Sequence, residues 1–314
     1  MIKIENLSKH YGNHLAIDHI SFEINKGEIL GFLGRNGAGK TTTMNIITGY
    51  ISSSDGRVLL DGHDILNEPR FVKRHIGYLP EQPPLYMDMT VDEYLRFVCS
   101  IKDVSTRAVK THLDDITELV KIADMRSRLI KNLSKGYKQR VGIAQALVGN
   151  PDVIILDEPT IGLDPTQIIE IRMLIKRLGK DHTLVLSSHI LHEVADICER
   201  VIIISRGKIA AEDRLENLTM DISDTLRMTV RIAGPEKEVE RILRSIEGIR
   251  QVESLGIKEA GSFDFFIESD RAADVRRKMF SALSETGAPL LMLQMMDITL
   301  EDIFLKYTAE REEA

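Results

Sequence analysis

The octapeptide GRNGAGKT at residues 34–41 has the residue types and the spacing, G-x-x-x-x-G-K-[ST], to hold a polyphosphate. Gly34, Gly37 and Gly39 let the backbone curl so that its N–H groups converge on phosphate oxygens. Lys40 then bridges the β- and γ-phosphates, Thr41 holds Mg²⁺, and the N-terminus of the following helix adds partial positive charge. The candidate binding segment is Gly34, Arg35, Asn36, Gly37, Ala38, Gly39, Lys40, Thr41 and Thr42. A second element, VIILDEPT at 153–160, ends a strand on two carboxylates, Asp157 and Glu158. Strand alternation sends neighbouring side chains in different directions, so one acid can reach the Mg²⁺ shell while the other addresses a water. His189 closes the run TLVLSSH and could sense or neutralise a γ-phosphate. His189, His192 and Glu193 also have helical metal-ligand spacing, but no further ligand cluster joins them, so a metal site there is not expected. LSKGYKQR at 133–140 looks like half of a phosphate site: a serine, a glycine and a helix start, without a lysine-bearing loop.

These groups need a scaffold that brings them together. Residues 1–24 alternate apolar and polar in two short runs, which predicts an antiparallel strand pair. EILGFLG at 28–34 is a buried strand entering the glycine loop. Between 90 and 123 the period becomes helical, with Val109, Leu113, Ile116, Val120 and Ala123 on one face. After 137 the strands VIIL, TLVL and VIII alternate with helices over 138–148, 165–178 and 190–198, an α/β pattern with a mainly parallel sheet. LENLTMDISDT near 219 breaks that pattern, dividing the chain into domains at 1–219 and 220–314. The second domain reads strand 225–232, helix 235–246, strand 249–255, strand 262–268, helix 271–286, strand 290–296 and a final helix 299–308. Its βαββαβ order predicts a small α+β ferredoxin-like sandwich. It carries no obvious chemistry.

Composition narrows the classes. A 314-residue chain with 43% hydrophobic residues can bury real cores, and its net charge of −7 argues against a general nucleic-acid surface. No apolar run approaches the roughly 18 residues of a membrane span. No basic segment, apolar run and cleavage site open the sequence, so no secretory leader is expected. Cys99 and Cys198 stand far apart without a CxxC, which disfavours a disulfide or zinc framework and makes a reducing cytoplasm the default.

GRNGAGKT, then LSKGYKQR about a hundred residues later, VIILDEP, GLD and SSH, in that order, resemble the ATPase subunit of an ATP-binding-cassette (ABC) transporter. The resemblance covers residues 1 to about 219 and implies a P-loop ATPase with a helical subdomain and an antiparallel β edge. It implies ATP and Mg²⁺ as ligands, with Thr41, Gln82 and Asp157 on the metal. Tyr11 in KHYG then corresponds to the aromatic that stacks on adenine. Gln82 in LPEQPPLY corresponds to the glutamine that contacts Mg²⁺ and reports nucleotide state toward the membrane partner. Glu158 corresponds to the catalytic base, Asp164 in GLDP to the D-loop acid and His189 to the switch histidine. Segments like Ser134, Lys135, Gly136 and Tyr137 close over the ATP of a second subunit. Here Lys135 and Tyr137 replace the family's usual Gly and Gln, leaving the serine hydroxyl and the second glycine in place.

LSKGYKQRVGIAQAL, LPEQPPLYMDMTVDEYL and TLEDIFLKYT further resemble the subset serving ABC-2-type exporters, including drug-efflux and gliding-motility systems. The resemblance implies a cytoplasmic ATPase, peripheral on the inner face of the membrane, that pairs with a second copy and drives a separate permease. The surface at 82–100, with PPLYMDMTVDEYLRF beside Gln82, is expected to dock that permease. The alternative is a soluble mechanical ATPase of the same superfamily acting on ribosomes or DNA. One cassette without a long coiled coil favours transport and no nucleic-acid partner. Residues 220–314 are expected to be accessory, regulatory or dimer-holding.

Overall fold

The computed structural model describes residues 1–190, 194–221, 225–270, 273–296, 302–304 and 307. The chain forms two compact units, the bulk of the first being residues 1–215 and the second residues 216–306.

The first unit is built on two sheets. Strands β1 (Ile2–Tyr11), β2 (His14–Ile24), β4 (Asp55–Leu60) and β5 (His63–Asp64) make an antiparallel sheet in the order β2-β1-β4-β5. The sequence reading anticipated its first pair but not β4 and β5, which are short and carry Gly56 at a register shift. The second sheet has six strands in the order β10-β9-β3-β8-β7-β6. Its members are β3 (Ile29–Leu33), β6 (Ile76–Leu79), β7 (Val153–Asp157), β8 (Thr183–Ser188), β9 (Arg200–Ser205) and β10 (Lys208–Arg214). All neighbours pair parallel except β9 and β10. Every residue of β7 and β8 is buried, as strands covered on both faces must be. Apolar side chains from both sheets, including Ile4, Leu7, Phe22, Phe32 and Ile155, share one core with Met44 of the helix Lys40–Ile47.

In open parallel sheets, ligands gather beyond the carboxyl ends of the strands. Here β3, β8, β7 and β6 are successive neighbours, so the segments leaving them emerge side by side. Those segments are the P-loop, the SSH turn, the DEPT turn and the loop from Pro80.

The helical period read over 90–123 resolves into α3 (Val91–Ile101) and α4 (Val109–Leu119). Thr90 and Glu93 start α3 with a reciprocal capping box. Leu113, Ile116 and Val120 are buried as expected, whereas Ala123 is exposed in a 3₁₀ turn, because the helix has already ended. Helix α5 spans Lys135–Leu147, three residues earlier than the sequence reading placed it, since Ser134 caps it. Helix α6 spans Pro165–Leu178, and α1 (Lys40–Ile47) and α2 (Pro69–His75) complete the well-formed helices of this unit.

The second unit has four antiparallel strands in the order β12-β13-β11-β14, namely Ile249–Glu259, Ser262–Asp270, Thr225–Ala233 and Leu290–Met296. Helices Glu236–Arg244 and Val275–Thr286 cover one face, and Val230, Phe265, Leu243 and Met279 fill the space between. Most of the final helix read at 299–308 lies outside the described residues, as do residues 191–193 of the helix read at 190–198.

Candidate functional site

The glycine loop leaves β3 at Gly34 and becomes helix α1 at Lys40. Gly39 holds φ at 110°, which only glycine adopts without strain, and a Cβ there would stand 2.8 Å from the Ala16 carbonyl oxygen. A Cβ on Gly34 would meet the Ile204 carbonyl oxygen at 2.7 Å. Such overpacking costs about 1–3 kcal/mol unless the backbone shifts. Gly34→Ala is therefore expected to displace the loop and weaken nucleotide binding by about tenfold or more, measured by calorimetric titration. The thermal midpoint without nucleotide should fall by only a few degrees.

Lys40 lies 6% exposed at the floor of a cavity of about 450 Å³. Its ammonium donates to the carbonyls of Gly34 at 2.8 Å and Arg35 at 3.4 Å and lies 3.4 Å from Glu158 Oε1. The cavity is lined by Tyr11, Arg35, Asn36, Gly37, Gly39, Lys40, Thr41, Thr42, Glu158 and His189, with Glu81 among the rest. Tyr11, at the end of β1, is 50% exposed at the cavity wall. Gly34 and Ala38 shape the loop from behind.

The two acids differ in surroundings, but not through strand alternation. Strand β7 ends at Asp157, and Glu158 has left it with φ at 50°, a left-handed conformation uncommon for a non-glycine residue and concentrated at functional turns. The turn carries the Glu158 carboxylate to Lys40 and to His189, whose Nδ1 lies 2.7 Å from Glu158 Oε2. Asp157 is fully buried. Register places it opposite Ser187 of β8, whose hydroxyl donates to Oδ1. Oδ2 has no hydrogen-bond partner among the described residues. Burial pushes the Asp157 pKa up, Ser187 and Thr41 oppose this, and the charges of Glu158 and Glu81 add to it. An orphaned carboxylate oxygen beside a threonine hydroxyl and further acids fits a small hard cation.

Gln82, expected on the metal, lines a larger cleft of about 1140 Å³ beside α2, β6 and the end of α3, which its neighbour Glu81 shares; Glu81 also lines the phosphate cavity. His192 and Glu193 lie outside the described residues, and among the described ones no cluster of three or more His, Cys, Asp or Glu residues could hold a metal unaided.

Ser134, Lys135, Gly136 and Tyr137 lie outside the phosphate cavity of their own chain. Ser134 caps α5, accepting from the Tyr137 N–H at 3.4 Å, so its hydroxyl proton remains available to donate. Helix α5 begins at Lys135 rather than after Tyr137, which puts the Gly136 N–H in the first turn, where it has no intrahelical acceptor. Asp164 caps α6, accepting from the Gln167 N–H at 2.9 Å, and a Cβ on Gly136 would stand 2.7 Å from the Gln167 side chain. Lys135 packs over the GLD turn: a Cβ on Gly162 would lie 2.0 Å from its Nζ. Signature and D-loop thus form one surface, built on the starts of α5 and α6.

The ABC transporter family profile matches residues 17–161. The bacitracin transport ATP-binding protein BcrA of Bacillus licheniformis is 32% identical over 98% of this chain and 96% of its own length. The chain belongs to the ABC transporter ATP-binding proteins. Being an ABC ATPase, it is also similar to the linearmycin resistance ATP-binding protein LnrL of Bacillus subtilis (strain 168), 30% identical over 98% of both chains. Among solved structures, a dimeric bacterial ABC transporter cassette covers 68% of this chain and 99% of its own at 28% identity, with a TM-score of 0.64. The same cassette in a post-hydrolysis state bound to ADP and Pi gives a TM-score of 0.63 at 27% identity. Among the described residues of this ABC ATPase, no helix is long and apolar enough to cross a membrane, and both cysteines are free and buried.

Proposed function

We propose that this ABC ATPase works as a homodimer holding two ATP molecules, on the cytoplasmic face of a membrane, and drives export through a separate permease. The observation that carries the dimer is the division of phosphate-binding groups within one chain. Lys40, Glu158 and His189 meet in one cavity, while Ser134 and Gly136 lie outside it with a hydroxyl proton and an N–H to spare. A second copy supplies the missing half of each site.

Within such a site Lys40 neutralises the β- and γ-phosphate oxygens, exchanging its present carbonyl and carboxylate contacts for stronger charge-assisted bonds. Tyr11 stacks on the adenine. Glu158 orients the attacking water and takes its proton, and His189 fixes the Glu158 carboxylate through the 2.7 Å contact. Ser134 and Gly136 of the opposite subunit donate to the γ-phosphate, and Asp164 holds α6 behind them. Mg²⁺, when bound, offsets phosphate charge, and Thr41 and Asp157 are its holders in this chain. Export is supported by the relatives BcrA, a bacitracin transport protein, and LnrL, a linearmycin resistance protein.

The cleft beside Gln82 is the permease-docking surface in this reading. Arg70, Lys73, Arg74 and Lys102 line it, with Ile101 62% exposed at its margin. Asp103 pairs with Arg74, Lys102 donates to the carbonyls of Lys73 at 2.6 Å and Ile76 at 2.8 Å, and Arg70 and Lys73 make no ion pair among the described residues. Burial pulls the Lys102 pKa down to about 8, which leaves it mainly charged at neutral pH. A cationic, partly apolar cleft in a chain of net charge −7 suits an acidic amphipathic segment. Of the 82–100 stretch, Tyr86, Met87 and Phe97 are exposed, whereas Val91, Tyr94 and Leu95 belong to the helical core. The double charge reversal R70E/K73E should cut co-purification with membrane proteins of the native host by about tenfold or more while basal ATPase stays intact. Loss of basal ATPase instead would give the cleft a structural role.

A further inference from the structure

We infer that strand β14 pairs antiparallel with β14 of a second copy, joining the two second units into one sheet across a two-fold axis at Gln294. The inference takes the two-copy reading above for the identity of the occupant and adds a contact that needs no nucleotide. Strand β14 is one edge of its sheet and pairs with β11 in unbroken register from Met292 to Met296. Among the described residues its backbone bonds to no other strand, so alternate N–H and C=O groups face outward. Its sequence, LLMLQMM, holds no charge, proline or glycine, and Leu291, Met295 and Met296 are 51%, 37% and 46% exposed. A long apolar edge of this kind is a template for another strand.

The opposite edge, β12, is guarded. It carries Arg250, Glu253, Lys258 and Glu259, its pairing with β13 shifts register three times, Gly256 holds φ at 82°, and Arg244 donates to the Val252 carbonyl at 2.9 Å. Strand β14 has a single shift, between Leu290 and Met292, and no charged side chain. A second β14 complements it throughout. Two-fold pairing centred on Gln294 sets amide against amide, Leu293 against Met295 and Met292 against Met296, so no apolar side chain is set opposite a polar one. Charges beside the strand do not oppose this, since on β11 Arg227 pairs with Glu268 and Asp302, and Arg231 with Glu259 and Asp264.

The test uses the full-length protein without nucleotide, in sedimentation velocity over a concentration series. The wild type is expected to show a reversible monomer–dimer equilibrium, weak because one strand pair is a small interface. Gln294→Lys sets like charges opposite each other on the axis and should raise the dimer dissociation constant by about tenfold. Gln294→Glu should do the same, and an equimolar mixture of the two variants should restore association. Gln294 is exposed, so a wild-type circular dichroism spectrum checks that each variant is folded. A wild type that stays monomeric, a Gln294→Lys chain that associates like the wild type, or a mixture that associates no better than either variant alone overturns the pairing. ATP-driven association of Glu158→Gln tests the divided nucleotide site separately, so the two failures are distinguishable.

Discussion

Lys40→Ala lowers ATP affinity by roughly 100-fold to 1,000-fold in the expected result, corresponding to about 2.7–4 kcal/mol for a pre-organised donor in a water-poor site. Lys40 is buried, fixed by two loop carbonyls and 3.4 Å from Glu158, so its ammonium is already positioned before nucleotide arrives. Removing it withdraws a cation and leaves the Glu158 carboxylate facing incoming phosphate without compensation. Fluorescence or calorimetric titration with ATP and Mg²⁺ measures the loss. Thermal unfolding without nucleotide separates lost binding from lost folding. A variant that folds and binds ATP as the wild type does would remove the loop from the nucleotide site.

Glu158→Gln acts on the other half of the reaction. The amide keeps the size of the side chain and can still bond to His189, but it cannot take a proton from water. Turnover should fall by about 10²–10⁴-fold. ATP binding should survive, because the carboxylate that competes for Lys40 has become neutral. With the closed state no longer discharged by hydrolysis, an ATP-bound dimer should accumulate and elute earlier on size exclusion in ATP and Mg²⁺. Either wild-type turnover or a strictly monomeric profile would contradict a shared site with Glu158 as base.

Both experiments probe groups legible in the sequence, and the reason is physical. The P-loop works through backbone curvature, so its glycines and lysine must sit at fixed separations along the chain, as residues 34–41 do. The same holds for the uninterrupted apolar strands ending at Asp157 and Ser188, which a sheet covered on both faces requires. The cap residues Ser134 and Asp164 are also local, each bonding three residues ahead.

Other features had no local signal. Strands β4 to β6 escaped the reading because short strands punctuated by Gly56 and Gly77 give too few alternations to declare a period. The second unit was more legible, since its strands Thr225–Ala233 and Ser262–Asp270 are long enough to show one.

By itself the sequence determined the chemistry on offer: a phosphate loop, paired acids, a histidine after a buried strand and a capped glycine segment. Tertiary structure decided which of these meet. The parallel order β3-β8-β7-β6 brings the P-loop, His189, Glu158 and Glu81 to one edge from positions spread between 34 and 189. It leaves the signature on α5, outside the cavity of its own chain. It also set Glu81 at the edge of both the phosphate cavity and the larger cleft that Gln82 lines. Neighbouring residues of an irregular loop can face different cavities, and only the path of the folded backbone fixes which one each enters.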